Sequence, residues 1–195
     1  MKIILTILST CVFIHSLFAQ TTNIPDANFE QALIDLGIDS GTVDGVALTA
    51  ALSNVTILNV SNKNISDLTG IESFVALTGL VCENNQLISL DLSQNTQLEY
   101  LECSNNQITS LDLSNNPLLY NLLCSDNQLT NLDISNINEM WNLSCYNNLL
   151  DTLDASNCAI RYLFCGHNAL TYFDFKNDSI ILEIECSYNQ LHIST

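Results

Sequence analysis

Basic residues are scarce in this sequence. Four lysines and arginines stand against 21 aspartates and glutamates in 195 residues, which gives a formal net charge of −17 at pH 7. A surface of this kind repels phosphate backbones and anionic membranes. The charge balance therefore predicts no nucleic-acid partner, and it is compatible with a cationic protein, a neutral glycan or divalent cations.

The residue groupings of common enzymes are also lacking. The chain has three histidines, and the two that lie beyond its N-terminal apolar segment, His167 and His192, belong to no metal-ligand or nucleophile pattern. Its six glycines form no phosphate-binding loop. We therefore predict a protein that is not an enzyme, with no catalytic residue, no cofactor and no metal site.

Long apolar runs are missing except at the N-terminus. There Lys2 precedes a mostly apolar segment from Ile3 to Phe18, and the small residue Ala19 follows it. This order is typical of a secretion signal, and the segment is shorter than the roughly 20 residues that span a membrane. We predict a signal peptide over residues 1–19, a mature chain from Gln20, a secreted or cell-surface location, and no membrane insertion after cleavage. An uncleaved anchor and lipidation at Cys11 are the alternatives.

What the sequence does contain is a repeat. Six cysteines follow one another at intervals of 21, 21, 21, 20 and 21 residues, and each lies in the pattern Leu/Ile-x-Cys-x-x-Asn-x-Leu/Ile. The cysteines are Cys82, Cys103, Cys124, Cys145, Cys165 and Cys186. A degenerate first copy runs from Leu58 to Ile65, with Lys63 in place of the asparagine. Terminal repeats are commonly atypical.

The pattern predicts a stacked β structure. Alternating Leu and Cys residues turn one side of a short strand inward, and the asparagine can bond backbone groups left open where the strand ends. A second half, such as Leu90-Asp91-Leu92-Ser93, repeats the alternation. We therefore expect a mostly β leucine-rich-repeat solenoid of about seven repeats, each about 20–22 residues long, over residues 55–195, with extended backbone on its convex side too.

The segment before the repeats, residues 20–54, is predicted to be a small helical cap. Asp26 can cap a helix from Ala27 to Leu36 that ends at Gly37, and a second short helix can start at Thr49. The apolar side chains of the first helix should lie on the first repeat, and they are Phe29, Leu33 and Leu36. The loop over residues 39–45 resembles a calcium loop, but its acidic spacing favours a surface turn.

The repeat resembles that of bacterial internalin-like leucine-rich-repeat proteins, which are secreted or lie at the cell surface. The resemblance covers residues from about Val55 to Leu191. It implies extracellular recognition of proteins or glycans, and it brings no catalytic residue with it.

Two columns of repeated residues could carry chemistry. The six cysteines should stack about 4.8 Å apart, too far for disulfides, so we predict buried free thiols. Cys158 lies outside their column and is the candidate for a reactive thiol or an unusual pairing. The second column is predicted to be a solvated acidic ladder, with weak calcium sites as the alternative, and comprises Asp91, Asp112, Asp133, Asp154 and Asp174.

Variable residues between the constant ones should face solvent on the concave side. Several of them are aromatic or apolar, and exposed patches of this kind usually mark recognition sites. We therefore predict a surface for a protein or glycan ligand, centred on Trp141, from Tyr100, Tyr120, Leu123, Trp141, Tyr146, Arg161, Tyr162 and Phe164. Alternatively, these side chains merely cover one another in cross-strand pairs, and the protein is a structural surface protein whose repeats act as a spacer or assembly unit.

Overall fold

The computed structural model describes residues 19–175 and 181–191. The predicted signal peptide lies outside these residues except for Ala19, as does His192. Within the described ranges, no helix is both long enough and apolar enough to cross a membrane. In chain order the elements are β1 Thr21–Asn23, α1 Ala27–Asp35, β2 Val46–Leu48, α2 Thr49–Leu52, β3 Ile57–Asn59, a 3-10 helix Ile71–Ser73, β4 Gly79–Val81, β5 Tyr100–Glu102, β6 Asn121–Leu123, β7 Asn142–Ser144, β8 Thr152–Ala155, β9 Tyr162–Phe164, β10 Tyr172–Phe175 and β11 Glu183–Glu185.

One parallel sheet runs the length of the solenoid. Its seven strands within the described residues are ordered β3-β4-β5-β6-β7-β9-β11, so each repeat contributes one strand next to that of the preceding repeat. The central residues of the strands are in register, and they are Leu58, Leu80, Leu101, Leu122, Leu143, Leu163 and Ile184. The predicted mostly β leucine-rich-repeat solenoid is confirmed.

Inward-facing side chains of both halves of each repeat form one continuous core. The central leucines of the strands are essentially inaccessible to solvent as far as Leu163, and so are the cysteines two residues further on as far as Cys165. The cysteines are free thiols, as predicted, and only Cys186 in the last described repeat is partly accessible. Burial raises the pKa of Cys165 to about 12 and the pKa of Cys103 further still, so these thiols remain protonated and unreactive.

An asparagine ladder closes the turn after each strand. In a typical repeat, Asn127 Nδ2 donates to the carbonyls of Cys103, Cys124 and Ser125 at 3.0 to 3.2 Å, while its Oδ1 accepts from the Ile108 N–H at 3.0 Å. Equivalent bonds recur along the ladder, which comprises Asn85, Asn106, Asn127, Asn148, Asn168 and Asn189. The predicted role of these asparagines is confirmed.

The convex side is less regular than the prediction of extended backbone implied. Among the described residues, convex strands pair only between β8 and β10, whereas an earlier repeat has a 3-10 helix and the others have turns. The aspartate column stabilises these turns. Asp91, Asp112, Asp133 and Asp154 each accept a backbone N–H two residues later at 2.9 to 3.0 Å. Over the described residues, no group of three metal-binding side chains forms.

A second, shorter ladder lies under the convex turns, and Cys158 belongs to it. Asn95 and Asn116 each donate Nδ2 to two carbonyls of the preceding repeat. At the equivalent place Cys158 is 1% exposed, and its thiol lies 3.0 Å from the Ile137 carbonyl. Burial raises its pKa to about 11. The prediction of a reactive thiol is therefore wrong, because the residue replaces a ladder asparagine in the interior.

The N-terminal helix forms where it was predicted and is fastened to the first repeat. Asp26 Oδ1 accepts the N–H groups of Asn28 and Phe29, which caps α1, while its Oδ2 accepts from the backbone and hydroxyl of Ser66. Phe29 is buried against Phe74, with ring centroids 6.4 Å apart.

The far end of the helix departs from the prediction. Leu36 is 49% exposed, because the helix ends one residue earlier and Gly37 turns the chain away. Glu30 holds the loop over residues 39–45, because its buried carboxylate accepts the N–H groups of Asp44 and Gly45.

Candidate binding surface on the concave face

The outward side chains of the sheet form three columns that run from repeat to repeat. The first column immediately precedes the strands and comprises Glu99, Tyr120, Trp141, Arg161 and Leu182, whose backbones are hydrogen-bonded in series. The second column opens the strands and comprises Tyr100, Asn121, Asn142, Tyr162 and Glu183. The third closes them and comprises Val81, Glu102, Leu123, Ser144, Phe164 and Glu185.

Four of the predicted ligand-binding residues gather where the first two columns meet. This group, here called the Trp141 patch, comprises Tyr120, Trp141, Arg161 and Tyr162. Trp141 is 47% exposed, and its ring centroid lies 6.3 Å from that of Tyr162. The Arg161 guanidinium carbon lies 5.8 Å from the Trp141 ring centroid, within range of a cation–π contact.

The backbone holds the Trp141 patch in place. The Trp141 N–H donates to the Tyr120 carbonyl at 2.8 Å, and the Trp141 carbonyl accepts from the N–H groups of Arg161 and Tyr162 at 2.9 and 3.1 Å. A shallow pocket of about 370 Å³ opens beside the ring, and Tyr120, Glu139, Trp141, Ala159 and Arg161 line it. The backbone of the patch residues is therefore held by the hydrogen bonds of the solenoid.

Polar side chains lie between the aromatic residues in the middle of the face. Asn142 Nδ2 donates to Asn121 Oδ1 at 3.1 Å, and the hydroxyls of Ser125 and Ser144 are hydrogen-bonded at 2.7 Å. These side-chain hydrogen bonds connect neighbouring repeats at the centre of the concave face.

Of the remaining predicted residues, Tyr100 lies apart from the others. It opens β5, which is two strands from β7, the strand that Trp141 precedes. The charged groups near the Tyr100 hydroxyl are acidic. Burial, together with Glu102 and Glu83, raises the pKa of the Tyr100 hydroxyl. Glu102 is one of the variable residues between constant ones, which are predicted to face solvent, but it is buried, and this burial raises the pKa of its carboxyl.

Leu123 and Phe164 are half-buried members of the third column. Tyr146 lies beyond the C-terminal end of β7, on the opposite side of the strands from Trp141. Its ring contacts His167. The concave surface thus has two aromatic groups, one before the strands and one after them.

The second aromatic group was not predicted as a unit. The His167 ring contacts the rings of both Tyr146 and Tyr188, and His167 and Tyr188 have positive φ values of 52° and 54°. The signal was present in the sequence, because the residue before each ladder asparagine is Asn or Asp in the four preceding repeats and aromatic in these two.

No known family model matches the sequence. Internalin J of Listeria monocytogenes is 38% identical over 72 residues, which are 37% of this chain and 8% of that protein. The functional domain of the same internalin, a structure described as including a cysteine ladder, superposes with a TM-score of 0.75 at 28% identity. The superposition covers 91% of this chain and 45% of that domain.

The chain is similar to bacterial internalin-like leucine-rich-repeat proteins. Its cysteine column resembles the cysteine ladder described for the Listeria domain. The chain spans less than half the length of that domain. A leucine-rich-repeat protein of Leptospira interrogans shares the fold, with a TM-score of 0.64 at 24% identity over 74% of this chain and 40% of that one.

Proposed function

We propose that this internalin-like protein is an extracellular recognition module that binds a protein or glycan through its concave face, with Trp141 at the centre of the contact. The observation that carries the proposal is the exposure of Trp141, which immediately precedes β7, beside Tyr162 and Arg161. Its location outside the cytoplasm is part of the proposal and is supported by the N-terminal apolar segment and by the internalin resemblance.

The chemistry of the Trp141 patch supports binding rather than catalysis. Tryptophan, tyrosine and arginine are the residue types that contribute most to binding energy at interfaces. Aromatic rings give a large contact area at a small entropic cost, whether to a protein or to the face of a sugar. The guanidinium of Arg161 adds a cation suited to an acidic group of the ligand, in a chain of net charge −17.

The rest of the predicted surface would extend this contact. Leu123 and Phe164 add half-buried apolar area beside the patch, and Tyr146 adds a ring at the far edge of the sheet. Tyr100 would contact a part of the ligand that reaches the acidic end of the face.

The test begins with an array of proteins and glycans probed with the purified protein. For a ligand found there, Trp141→Ala should weaken binding by at least about 2 kcal/mol, or roughly 30-fold, and Tyr162→Ala should also weaken it. Tyr172→Ala is the matched control, because Tyr172 is an exposed aromatic residue on convex strand β10.

Unchanged affinity in both concave variants, with circular dichroism like that of the unaltered protein, would contradict the proposal. It would favour the alternative in which the repeats serve as a spacer or assembly unit. A loss of affinity in Tyr172→Ala that equals the loss in Trp141→Ala would move the contact to the convex side.

A further inference from the structure

Three aromatic rings form a stack at the edge of the concave face opposite the Trp141 patch. This Tyr146 stack comprises Tyr146, His167 and Tyr188, which come from three successive repeats. The ring centroids of Tyr146 and His167 lie 4.9 Å apart, and those of His167 and Tyr188 lie 4.1 Å apart. Tyr188 is 75% exposed, so the stack is open to a partner.

Two of these rings belong to residues with left-handed backbone. His167 and Tyr188 lie at left-handed corners, with φ of 52° and 54°. The same corner holds Asn84, Asn105, Asp126 and Asn147 in the preceding repeats. Asn, Asp and His are the non-glycine residues most often found in this conformation, whereas a bulky residue such as Tyr188 is disfavoured there. The strain at Tyr188 is a reason to look for function at this surface.

A third departure from the repeat lies next to the stack. Gly166 stands where the other repeats have Glu83, Ser104, Ser125, Tyr146 or Ser187, and its backbone is not left-handed. A Cβ at this position would collide with the Glu185 carboxylate. The glycine therefore makes room for Glu185 beside the rings.

The open pocket beside these residues carries negative charge. A pocket of about 450 Å³ is lined by the Tyr146 stack, by Phe164, by serine hydroxyls and by the carboxylates of Asp126 and Glu185. The Ser187 hydroxyl holds the pKa of Glu185 below its ordinary value. The ion pair found in the described part of the chain joins Lys63 to Asp35, so neither pocket carboxylate is neutralised by a described cation.

We propose that this pocket binds a cationic side chain, the guanidinium or ammonium group of an arginine or lysine on a partner protein. A cation over electron-rich rings is attracted by their quadrupole, and the carboxylates of Asp126 and Glu185, which form no ion pair with a described lysine or arginine, add a Coulombic attraction. The net charge of −17 attracts a basic partner and repels an acidic one. The site goes beyond the Trp141 contact, because its rings and charges belong to the other edge of the sheet.

The probe is the peptide acetyl-Gly-Arg-Gly-amide, titrated into the protein at pH 8, where histidine is ordinarily neutral. Binding is followed by two-dimensional NMR through the backbone amides of Gly166 and Ser187. A saturable shift is expected, and the matched peptide with Gln in place of Arg should give none.

The matched variants are His167→Asn and Tyr188→Asn. Both restore a residue type found at this corner in other repeats, and both leave the net charge unchanged, so general attraction to the acidic surface is preserved. Each should weaken arginine-peptide binding at least about fivefold, the equivalent of a cation–π contact of about 1 kcal/mol. Trp141→Ala should leave this binding unchanged, which separates a failure here from a failure of the proposed Trp141 contact.

Three results would overturn the proposal. They are the absence of a saturable shift with the arginine peptide, equal binding of the Gln peptide, and unchanged affinity in both asparagine variants. Thermal unfolding supplies a further check, because Asn suits the left-handed corner and should keep or raise the Tm. A Tm lowered by several degrees in both variants would assign the rings to the stability of the fold instead and would also overturn the proposal.

Discussion

On both sides of the solenoid, ladder side chains pair backbone groups that the turns leave open, but the concave ladder is the more regular of the two. On the concave side, each ladder asparagine donates to carbonyls of two repeats and accepts a backbone N–H, and the residue is kept in all six cysteine-containing repeats. On the convex side, Asn95 and Asn116 donate to two carbonyls, but their Oδ1 atoms accept no hydrogen bond among the described residues. Two repeats further on, Cys158 takes this place.

The difference shows that the number of backbone groups satisfied decides how replaceable a ladder residue is. Only a side chain with both a donor and an acceptor can fill the concave position, because a carbonyl and an N–H must be paired at once. A thiol can partly fill the convex position, because only carbonyls need a donor there. Asn136 lies one residue early in its repeat and still reaches the Leu113 carbonyl at 3.1 Å.

The same substitution in two cysteines gives the largest expected contrast. Cys103→Asn would bury an amide in an apolar column and should destabilise the protein by at least about 3 kcal/mol. Cys158→Asn would restore a convex ladder residue beside the Ile134 and Ile137 carbonyls and should change stability by less than about 1 kcal/mol. Urea unfolding followed by circular dichroism measures both, and equal losses would show that the two cysteines have equivalent surroundings.

Removing one asparagine from each ladder sharpens the comparison. Asn127→Ala leaves the buried Ile108 N–H and three carbonyls without their partner and should cost about 2 to 3 kcal/mol. Asn116→Ala removes two donated bonds and also an unpaired oxygen, so about 1 kcal/mol is expected. If denaturant titrations found the convex variant to be the less stable of the two, the satisfaction argument would be wrong.

Acid should affect the convex turns by a smaller amount. Hydrogen bonds from the Ser93 backbone and hydroxyl lower the pKa of Asp91, and Ser114 acts likewise on Asp112. Because the folded-state pKa lies below the unfolded one, this stabilisation is present above about pH 4 and is lost as the pH falls through the folded pKa.

The matched variant for the acid prediction is Asp112→Asn, which does not titrate and can still accept the Ser114 N–H. Thermal unfolding between pH 5 and pH 2.5 should show a slightly smaller loss of stability in this variant than in the unaltered protein. A variant with the same acid sensitivity at every pH would show that Asp112 contributes nothing to the effect.

The frame of the fold could be predicted because its residues repeat. A cysteine every 20 or 21 residues and an asparagine three residues later fix the strand, the turn and the register between neighbours. Asp26 likewise marked the start of α1 from local capping chemistry alone. Such features depend on the backbone next to the residue, or on an identical residue one repeat away.

The features that escaped prediction depend on contacts between residues that do not repeat. Cys158 was misassigned because its column is visible only after Asn95 and Asn116 are aligned with it across a shifted repeat. Glu102 is buried although it lies between inward-facing residues of its strand, and alternation alone does not reveal this. The rings of the Tyr146 stack come from two different positions of the repeat, so the pattern at either position alone does not show that they are in contact.

The central claim is that the constant frame carries stability while the variable concave surface is free for recognition. The direct test compares the free energy of unfolding of Trp141→Ala with that of Asn127→Ala in urea. We expect a loss within about 1 kcal/mol for Trp141→Ala, whose ring lies outside the core, against about 2 to 3 kcal/mol for Asn127→Ala. A loss in Trp141→Ala as large as that in Asn127→Ala would contradict the claim, because the ring would then be part of the frame.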